Sequence, residues 1–261
     1  MDQLKIATYN IRMETPADGE DCWNNRKDNI VKIIQTYDFD IMGLQEVKEN
    51  QLKDLKKMPE YTYFGLGRSN DNSNEYNPIF YKKDKLNLLE FDTFWLSKTQ
   101  INGKKEDRWN ADYPRICTWG RFQVKQSGKE FYVFNTHFDH RSEEARYQSA
   151  KLLSQKISTL EFETPVFLLG DFNGETNERF YQILSHEWRN VVEESPYHVG
   201  PKKTCTGVGF NHELKWDEYD WIDYIFVNNH SIINKTIIIT DQFYGRYPSD
   251  HFAVCLEATL G

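Results

Sequence analysis

The sequence predicts an α/β fold, and three observations carry that prediction. Apolar runs of strand length recur from end to end, and two amphipathic helical patterns lie between them. No Pro/Gly/Ser-rich linker interrupts the alternation, so residues 1–261 read as one domain. A strand–helix–strand unit also occurs twice.

In chain order, Leu4–Tyr9 reads as the first strand. The first helix follows, because Ile30, Ile33, Ile34 and Tyr37 fall on one face at helical spacing. Next come a strand at Ile41–Leu44, a short helix near Gln51–Met58, and strands at Pro78–Tyr81, Ile116–Val124 and Phe131–Phe134. Ser142 is the expected N-cap of the second long helix. Glu143 and Glu144 suit its positive end, and Leu152, Leu153, Ile157 and Leu160 form its stripe. A strand at Val166–Leu169, a short helix near Glu178–Leu184, and strands at Ile222–Val227, Thr236–Thr240 and Phe252–Leu256 complete the pattern. Gly65–Asn77, Ser97–Pro114 and Pro196–Asp220 read as long polar loops, the kind that carries function.

The repeat pairs Ile6-Ala-Thr-Tyr-Asn10 and Ile41-Met-Gly-Leu-Gln-Glu46 with Phe131-Tyr-Val-Phe-Asn135 and Val166-Phe-Leu-Leu-Gly-Asp171. Asn10 to Glu46 and Asn135 to Asp171 both span 36 positions. With two copies, duplication and shared topology explain the match equally. Either way, a βαβ crossover leaves both carboxyl ends on one edge of its sheet, where such folds place sites.

Composition narrows the function. A content of 39% hydrophobic and 15% aromatic residues excludes disorder as the main state. No apolar stretch reaches the ~18–20 residues of a membrane helix. Lys+Arg 32 against Asp+Glu 40 leaves a net charge of −8, the wrong sign for a dedicated duplex-DNA binder. Cys22, Cys117, Cys205 and Cys255 show no zinc spacing. They read as reduced thiols, with two disulfides as the alternative. The N-terminus begins almost at once with a strand-like run, so the expected location is the cytoplasm unless a leader has been trimmed. Nothing calls for an obligate protein partner.

Polar residues punctuate the ends of the apolar runs: Asn10, Glu46, His137, Asp171 with Asn173, Asp223, and Asp250 with His251. Each alone reads as a turn residue or cap. If the ends meet, they combine carboxylates for a hard cation, amides for orientation and two imidazoles. Such a set suits hydrolysis of a phosphate ester.

These residues sit in Thr8-Tyr9-Asn10-Ile11, Leu44-Gln45-Glu46-Val47, Asn135-Thr136-His137, Leu169-Gly170-Asp171-Phe172-Asn173, Trp221-Ile222-Asp223-Tyr224-Ile225 and Pro248-Ser249-Asp250-His251. Six motifs in that order resemble the endonuclease/exonuclease/phosphatase superfamily, which includes pancreatic deoxyribonuclease, neutral sphingomyelinases and the carbon-catabolite-repression deadenylases. Phe94-Trp95-Leu96-Ser97, Pro114-Arg115-Ile116-Cys117-Thr118-Trp119 and Thr136-His137-Phe138-Asp139-His140 with Arg146 resemble its bacterial, deadenylase-like branch. Arg12 stands where abasic-site endonucleases carry an acid, which counts against DNA repair.

The resemblance implies a four-layer α/β sandwich, two mixed β-sheets packed face to face with helices on the outer faces. It implies a Mg²⁺- or Mn²⁺-dependent phosphoesterase. Glu46 matches the principal metal carboxylate, Asn10 its amide neighbour and Asp250 a further acid near the metal. Asp171 matches the residue that prepares water, and Asn173 helps to place it. His251 matches the phosphate-side histidine oriented by Asp223, and His137 the second histidine.

Arg115 and Arg146 are candidate phosphate contacts, with a surface ion pair as the alternative for Arg115. Trp216, with Trp109 and Tyr219, is a candidate to stack a base or cover an apolar group. The expected substrate is a short single-stranded RNA or DNA, cut as a 3′–5′ exonuclease, or a small phosphodiester, sugar phosphate or inositol phosphate. The competing classes are a non-catalytic relative that binds a partner through its loops, and a metal-free glycosidase using Glu46 and Asp171.

Overall fold

The computed structural model describes residues 2–69, 74–160, 163–207, 209–213 and 220–261. The elements run β1 (Gln3–Asn10), α1 (Trp23–Tyr37), β2 (Ile41–Gln45), α2 (Glu49–Leu55), β3 (Tyr61–Phe64), β4 (Ile79–Lys82) and β5 (Leu86–Trp95). They continue with β6 (Ile116–Val124), β7 (Glu130–His137), α3 (Glu143–Ile157), β8 (Val166–Asp171), α4 (Arg179–Glu187) and β9 (Arg189–Asn190). Last come α5 (Val191–Glu194), β10 (His198–Val199), β11 (Asp223–Val227), β12 (Ser231–Ile239) and β13 (Ala253–Leu260).

The strands form two sheets, ordered β10-β12-β13-β1-β2-β4-β3 and β5-β6-β7-β8-β11-β9. Both are mixed: β1 runs parallel to β2 and β7 parallel to β8, among antiparallel neighbours such as β1 with β13 and β8 with β11. The sheets face each other, β1 and β2 packing across β7 and β8. Ile6, Ile41, Phe122, Phe167 and Leu169 fill the space between them. On the outer face of the first sheet, Ile30, Ile33 and Ile34 of α1 and Leu52 of α2 pack with Ala7, Tyr9 and Met42. Leu153 and Ile157 of α3 and Phe180 and Leu184 of α4 join the cluster of the second sheet. The expected four layers are present.

Local chemistry sets the helix ends as the sequence indicates. The Ser142 hydroxyl accepts the Ala145 N–H at 3.1 Å, satisfying one orphan donor of the first turn of α3. Asp38 ends α1 in a left-handed conformation, its N–H returning to the Ile34 carbonyl at 3.0 Å.

Both βαβ crossovers exist, but their registers differ. Asn10 pairs with Gln45, whereas Asn135 pairs with Leu169 and His137 with Asp171. The equal spacing therefore marks shared topology and not equivalent positions. The apolar pattern also misses β3 and β5. β5 is an edge strand whose middle faces solvent, and a bulge between Leu88 and Glu90 breaks its alternation.

Candidate active site

The paired sheets bring the punctuating residues to one edge. Asn10 closes β1, Glu46 follows β2, His137 closes β7 and Asp171 closes β8. Asp223 opens β11 directly opposite Asp171 in the ladder, and Asp250-His251 lead into β13. Gly170 permits the tight approach of β7 to β8: at its φ of 155°, a Cβ would lie 2.1 Å from the Thr136 carbonyl. Asn135 fixes the sheets against each other. Its amide donates to the Leu44 and Pro78 carbonyls at 3.0 Å each and accepts from Gln45 Nε2 at 2.7 Å.

Within the site, Asn10 is shared between two acids. Its Nδ2 donates to Glu46 Oε1 at 3.1 Å and to Asp171 Oδ2 at 2.9 Å. Met13 N–H donates to Glu46 Oε2 at 3.1 Å. His251 Nδ1 lies 2.9 Å from Asp223 Oδ2, and its Nε2 lies 3.8 Å from Asp171 Oδ2. Asn173 Nδ2, anchored on the Phe138 carbonyl at 3.1 Å, donates to His137 Nε2 at 2.8 Å. The ring proton of His137 then sits on Nδ1, which is buried without a partner. Arg12, Glu46 and Asn173 all hold left-handed backbone, with φ of 56°, 60° and 50°. Strain of this kind, about 1–3 kcal/mol per residue, persists where surroundings impose it.

Electrostatics divide the groups into unlike partners. Burial, with the Asp223 charge second, pushes Asp171 up to about 7. Burial opposes protonation of His251, but Cys205, Asp223 and Asp171 outweigh it and hold the imidazole well above its usual range. Burial, then the charges of Arg115 and Arg68, push His137 well below its own. Burial also raises Glu46, yet His251 and Arg12 bring its net value below the ordinary one.

A cleft of about 670 Å³ opens over this cluster. Arg115 lines it and is only 5% exposed; its ion pair, Nε to Asp139 Oδ2 at 3.7 Å, is buried and not at the surface. Its Nη2 meets His140 Nδ1 at 3.2 Å, while Nε and Nη1 are buried without a hydrogen-bond partner. Arg146 corrects the sequence reading. It lies outside the cleft lining, forked onto Glu178 at 2.8 and 2.9 Å and donating to the Asp139 carbonyl at 2.9 Å. Trp109 does not line the cleft either. Trp216 and Tyr219 lie outside the described residues. The cleft adds Arg68, Tyr113 and His140, which the sequence reading did not select. Their signal was indirect: they belong to the two long polar loops or lie beside the His137 motif.

The donor chemistry fits a hard divalent cation. Glu46, His137 and Asp171 each offer one ligand atom, all within 4.8 Å of one another, and so do Asp171, Asp223 and His251. Asp171, Asp223 and Asp250 are buried acids, and such crowding is stable only with nearby positive charge. Asp250, expected beside the metal, belongs to neither donor group; its carboxylate lies 3.8 Å from Arg12 Nη1.

The Endonuclease/Exonuclease/phosphatase family profile matches residues 7–251. The chain belongs to this family. Members of this family are hydrolases, nucleases and phosphatases among them. Among solved structures the chain is similar to the mannosyl-6-phosphatase of Bacteroides thetaiotaomicron, at 34% identity and TM-score 0.91, covering 98% of this chain and 100% of that one. It is 27% identical over 208 residues to Nocturnin of Drosophila melanogaster, covering 70% of this chain and 30% of that protein. It is also 21% identical over 290 residues to the CCR4-Not complex 3'-5'-exoribonuclease subunit of Saccharomyces cerevisiae, covering 88% of this chain and 34% of the relative. The chain thus spans about a third of the length of these two curated relatives. The deadenylase-like kinship read from the motifs agrees with them. Among the described residues, no helix is long and apolar enough to cross a membrane.

Proposed function

We propose that residues 1–261 act as one catalytic domain that hydrolyses a small phosphate ester by in-line attack of water, with Mg²⁺ or Mn²⁺ as cofactor. The observation that carries this reading is the meeting, in one cleft, of an acid cluster with a buried arginine whose Nε and Nη1 have no hydrogen-bond partner among the described residues. With Nη2 taken by His140, Nε and Nη1 lie on separate edges of the guanidinium, and each could donate one hydrogen bond to an anion.

Each residue then has a task. Arg115 binds the phosphate group. Neutral His137, its Nε2 held by Asn173 and 3.4 Å from Asp171 Oδ2, lines the site beside the reacting phosphate. Asp171 accepts a proton from water that Asn173 helps to orient. His251, kept protonated by Asp223, meets the charge developing on the phosphoryl or leaving oxygen. Glu46, with Asn10 beside it, would hold the cation, which would neutralise phosphoryl charge and lower the pKa of water. Asp250 acts as a charge partner of Arg12.

The net charge of −8 and the 34% likeness to a mannosyl-6-phosphatase over the whole chain support a small substrate such as a sugar phosphate. The likeness to an exoribonuclease subunit supports a second reading, 3′–5′ cleavage of short single-stranded RNA or DNA. Steady-state kinetics with mannose 6-phosphate, bis-p-nitrophenyl phosphate and oligo(A) of increasing length, with Mg²⁺ or Mn²⁺, separate the two. Activity that climbs with oligonucleotide length selects the second. Glu46→Gln should lose at least ~10²-fold in turnover, the scale of removing a preorganised charge partner. Full activity of that variant, or of wild type in excess EDTA, rejects the metal-dependent reading.

A further inference from the structure

Arg26, in the first turns of α1, is 3% exposed, yet its hydrogen bonds go to backbone carbonyls. Nε donates to Asp21 O at 2.9 Å, and Nη1 to Ile11 O and to Pro248 O at 3.2 Å. Nη2 donates to Arg12 O and to Met13 O at 3.4 Å. The Trp23 and Phe210 rings lie 5.2 and 5.4 Å from the guanidinium carbon. A buried cation is expensive unless every donor is satisfied, and here the backbone supplies the acceptors.

The carbonyls of Ile11 and Arg12 belong to two consecutive peptide units, both trans. In a trans unit the N–H points away from the C=O. The N–H of the first unit, Arg12 N, donates to Asn10 Oδ1 at 3.0 Å. The N–H of the second, Met13 N, donates to Glu46 Oε2 at 3.1 Å. Arg12, the residue between them, is the one held at φ 56°. Gln51 Nε2 adds a second donor to Arg12 O at 2.8 Å.

We infer that Arg26 is a positioning residue: it grips two successive peptide units by their carbonyls so that their N–H groups aim Asn10 and Glu46 at the cation and the ester. Through Pro248 O the same side chain ties the Asp250-His251 segment to the end of β1. The inference rests on the phosphoesterase reading and adds to it a residue outside the six motifs. The lever is geometric, because the three donors of a single lysine nitrogen cannot serve the five carbonyls that the three guanidinium nitrogens reach here. Charge alone does not suffice.

The test is Mn²⁺ binding to the whole chain without substrate, by calorimetry, for wild type, R26M and R26K, alongside steady-state kinetics. Circular dichroism and urea unfolding check the fold. Both variants should bind Mn²⁺ at least ~10-fold more weakly, the usual scale for losing support behind a metal ligand. Their kcat should fall while KM for the ester stays near wild type, because Arg115 is untouched. R26K, which keeps the charge, decides the matter if R26M does not fold. Folded R26K that binds Mn²⁺ as wild type does overturns the inference and leaves the phosphoesterase reading standing. R26K that cannot fold also overturns it, since the grip then serves folding and not the site. Wild type that binds no Mn²⁺ overturns both.

Discussion

Asp223→Asn removes one charge at nearly constant shape and probes the pair it forms with His251. The two groups are 2.9 Å apart, and both are buried. A charge-assisted hydrogen bond contributes about 1.5–3 kcal/mol. Two unit charges near 4 Å interact by about 4 kcal/mol at an effective dielectric of 20. These figures bracket the loss of transition-state stabilisation at about 2–4 kcal/mol, or roughly 30- to 10³-fold in kcat/KM. The pH profile carries the sharper sign. Burial first and the Asp223 charge second raise Asp171 to about 7, and Asp223 is one of the charges that hold His251 protonated, so its removal lowers both groups. Activity that needs ionised Asp171 and protonated His251 follows a bell, with limbs that belong to the coupled set. Both limbs should therefore move to lower pH in the variant. The assay is kcat/KM from pH 5 to 10 with saturating cation. A profile that stays in place or moves alkaline, with activity within a few-fold of wild type, refutes the assignment.

Arg115→Lys keeps the charge but loses the separate Nε and Nη1 donors, so kcat/KM should drop about 10- to 10²-fold, mostly in KM, as expected for a charge-assisted contact of 1.5–3 kcal/mol. An unchanged KM rejects Arg115 as a phosphate contact. Asn135→Ala deletes three buried hydrogen bonds between the sheets and should cost about 2–4 kcal/mol in urea unfolding. Burial works against ionised Asp21, but Arg246 and His212 outweigh it, so its folded pKa lies below the ordinary value. That contribution is complete above the unfolded carboxylate pKa of about 3.9 and is lost as pH falls through the folded value. The stability gap between wild type and Asp21→Asn should accordingly be present at pH 7 and shrink at pH 3.

The parts of the fold that were legible in the sequence are those whose burial is one-sided or total. α1 shows its apolar face at helical spacing, and β8, buried throughout, reads as Val-Phe-Leu-Leu. β5 did not show, because an exposed, bulged edge strand has no alternation to display. The acid and histidine cluster was legible for a related reason: a polar residue at the end of a fully buried strand stands out, and parallel crossovers send such ends to one edge. Arg26 did not show. Its role depends on which carbonyls lie around it, and backbone acceptors have no sequence signature.

Arg115 and Arg146 separate chemistry from pattern. Both are arginines, both are buried, and both accompany the motif around His137. Nothing in spacing or composition distinguishes them. The difference is the state of the guanidinium. Arg146 is satisfied: Glu178 takes two of its donors and the Asp139 carbonyl a third. A ligand would have to break a buried ion pair to reach it, which typically costs 3–5 kcal/mol. Among the described residues Arg115 has His140 within hydrogen-bonding distance and a carboxylate, Asp139, at 3.7 Å. Asp139 is itself engaged by the N–H groups of Asp112, Arg141 and Ser142, so it cannot close on Arg115. Among the described residues Nε and Nη1 of Arg115 have no hydrogen-bond partner, and under the proposed function a phosphate would supply one. Replacing Arg146 by Gln should therefore lower stability in urea unfolding and leave KM within about 2-fold of wild type, the reverse of Arg115→Lys. A large KM effect from Arg146→Gln, with unfolding unchanged, would show that a guanidinium's existing partners do not decide which arginine binds substrate.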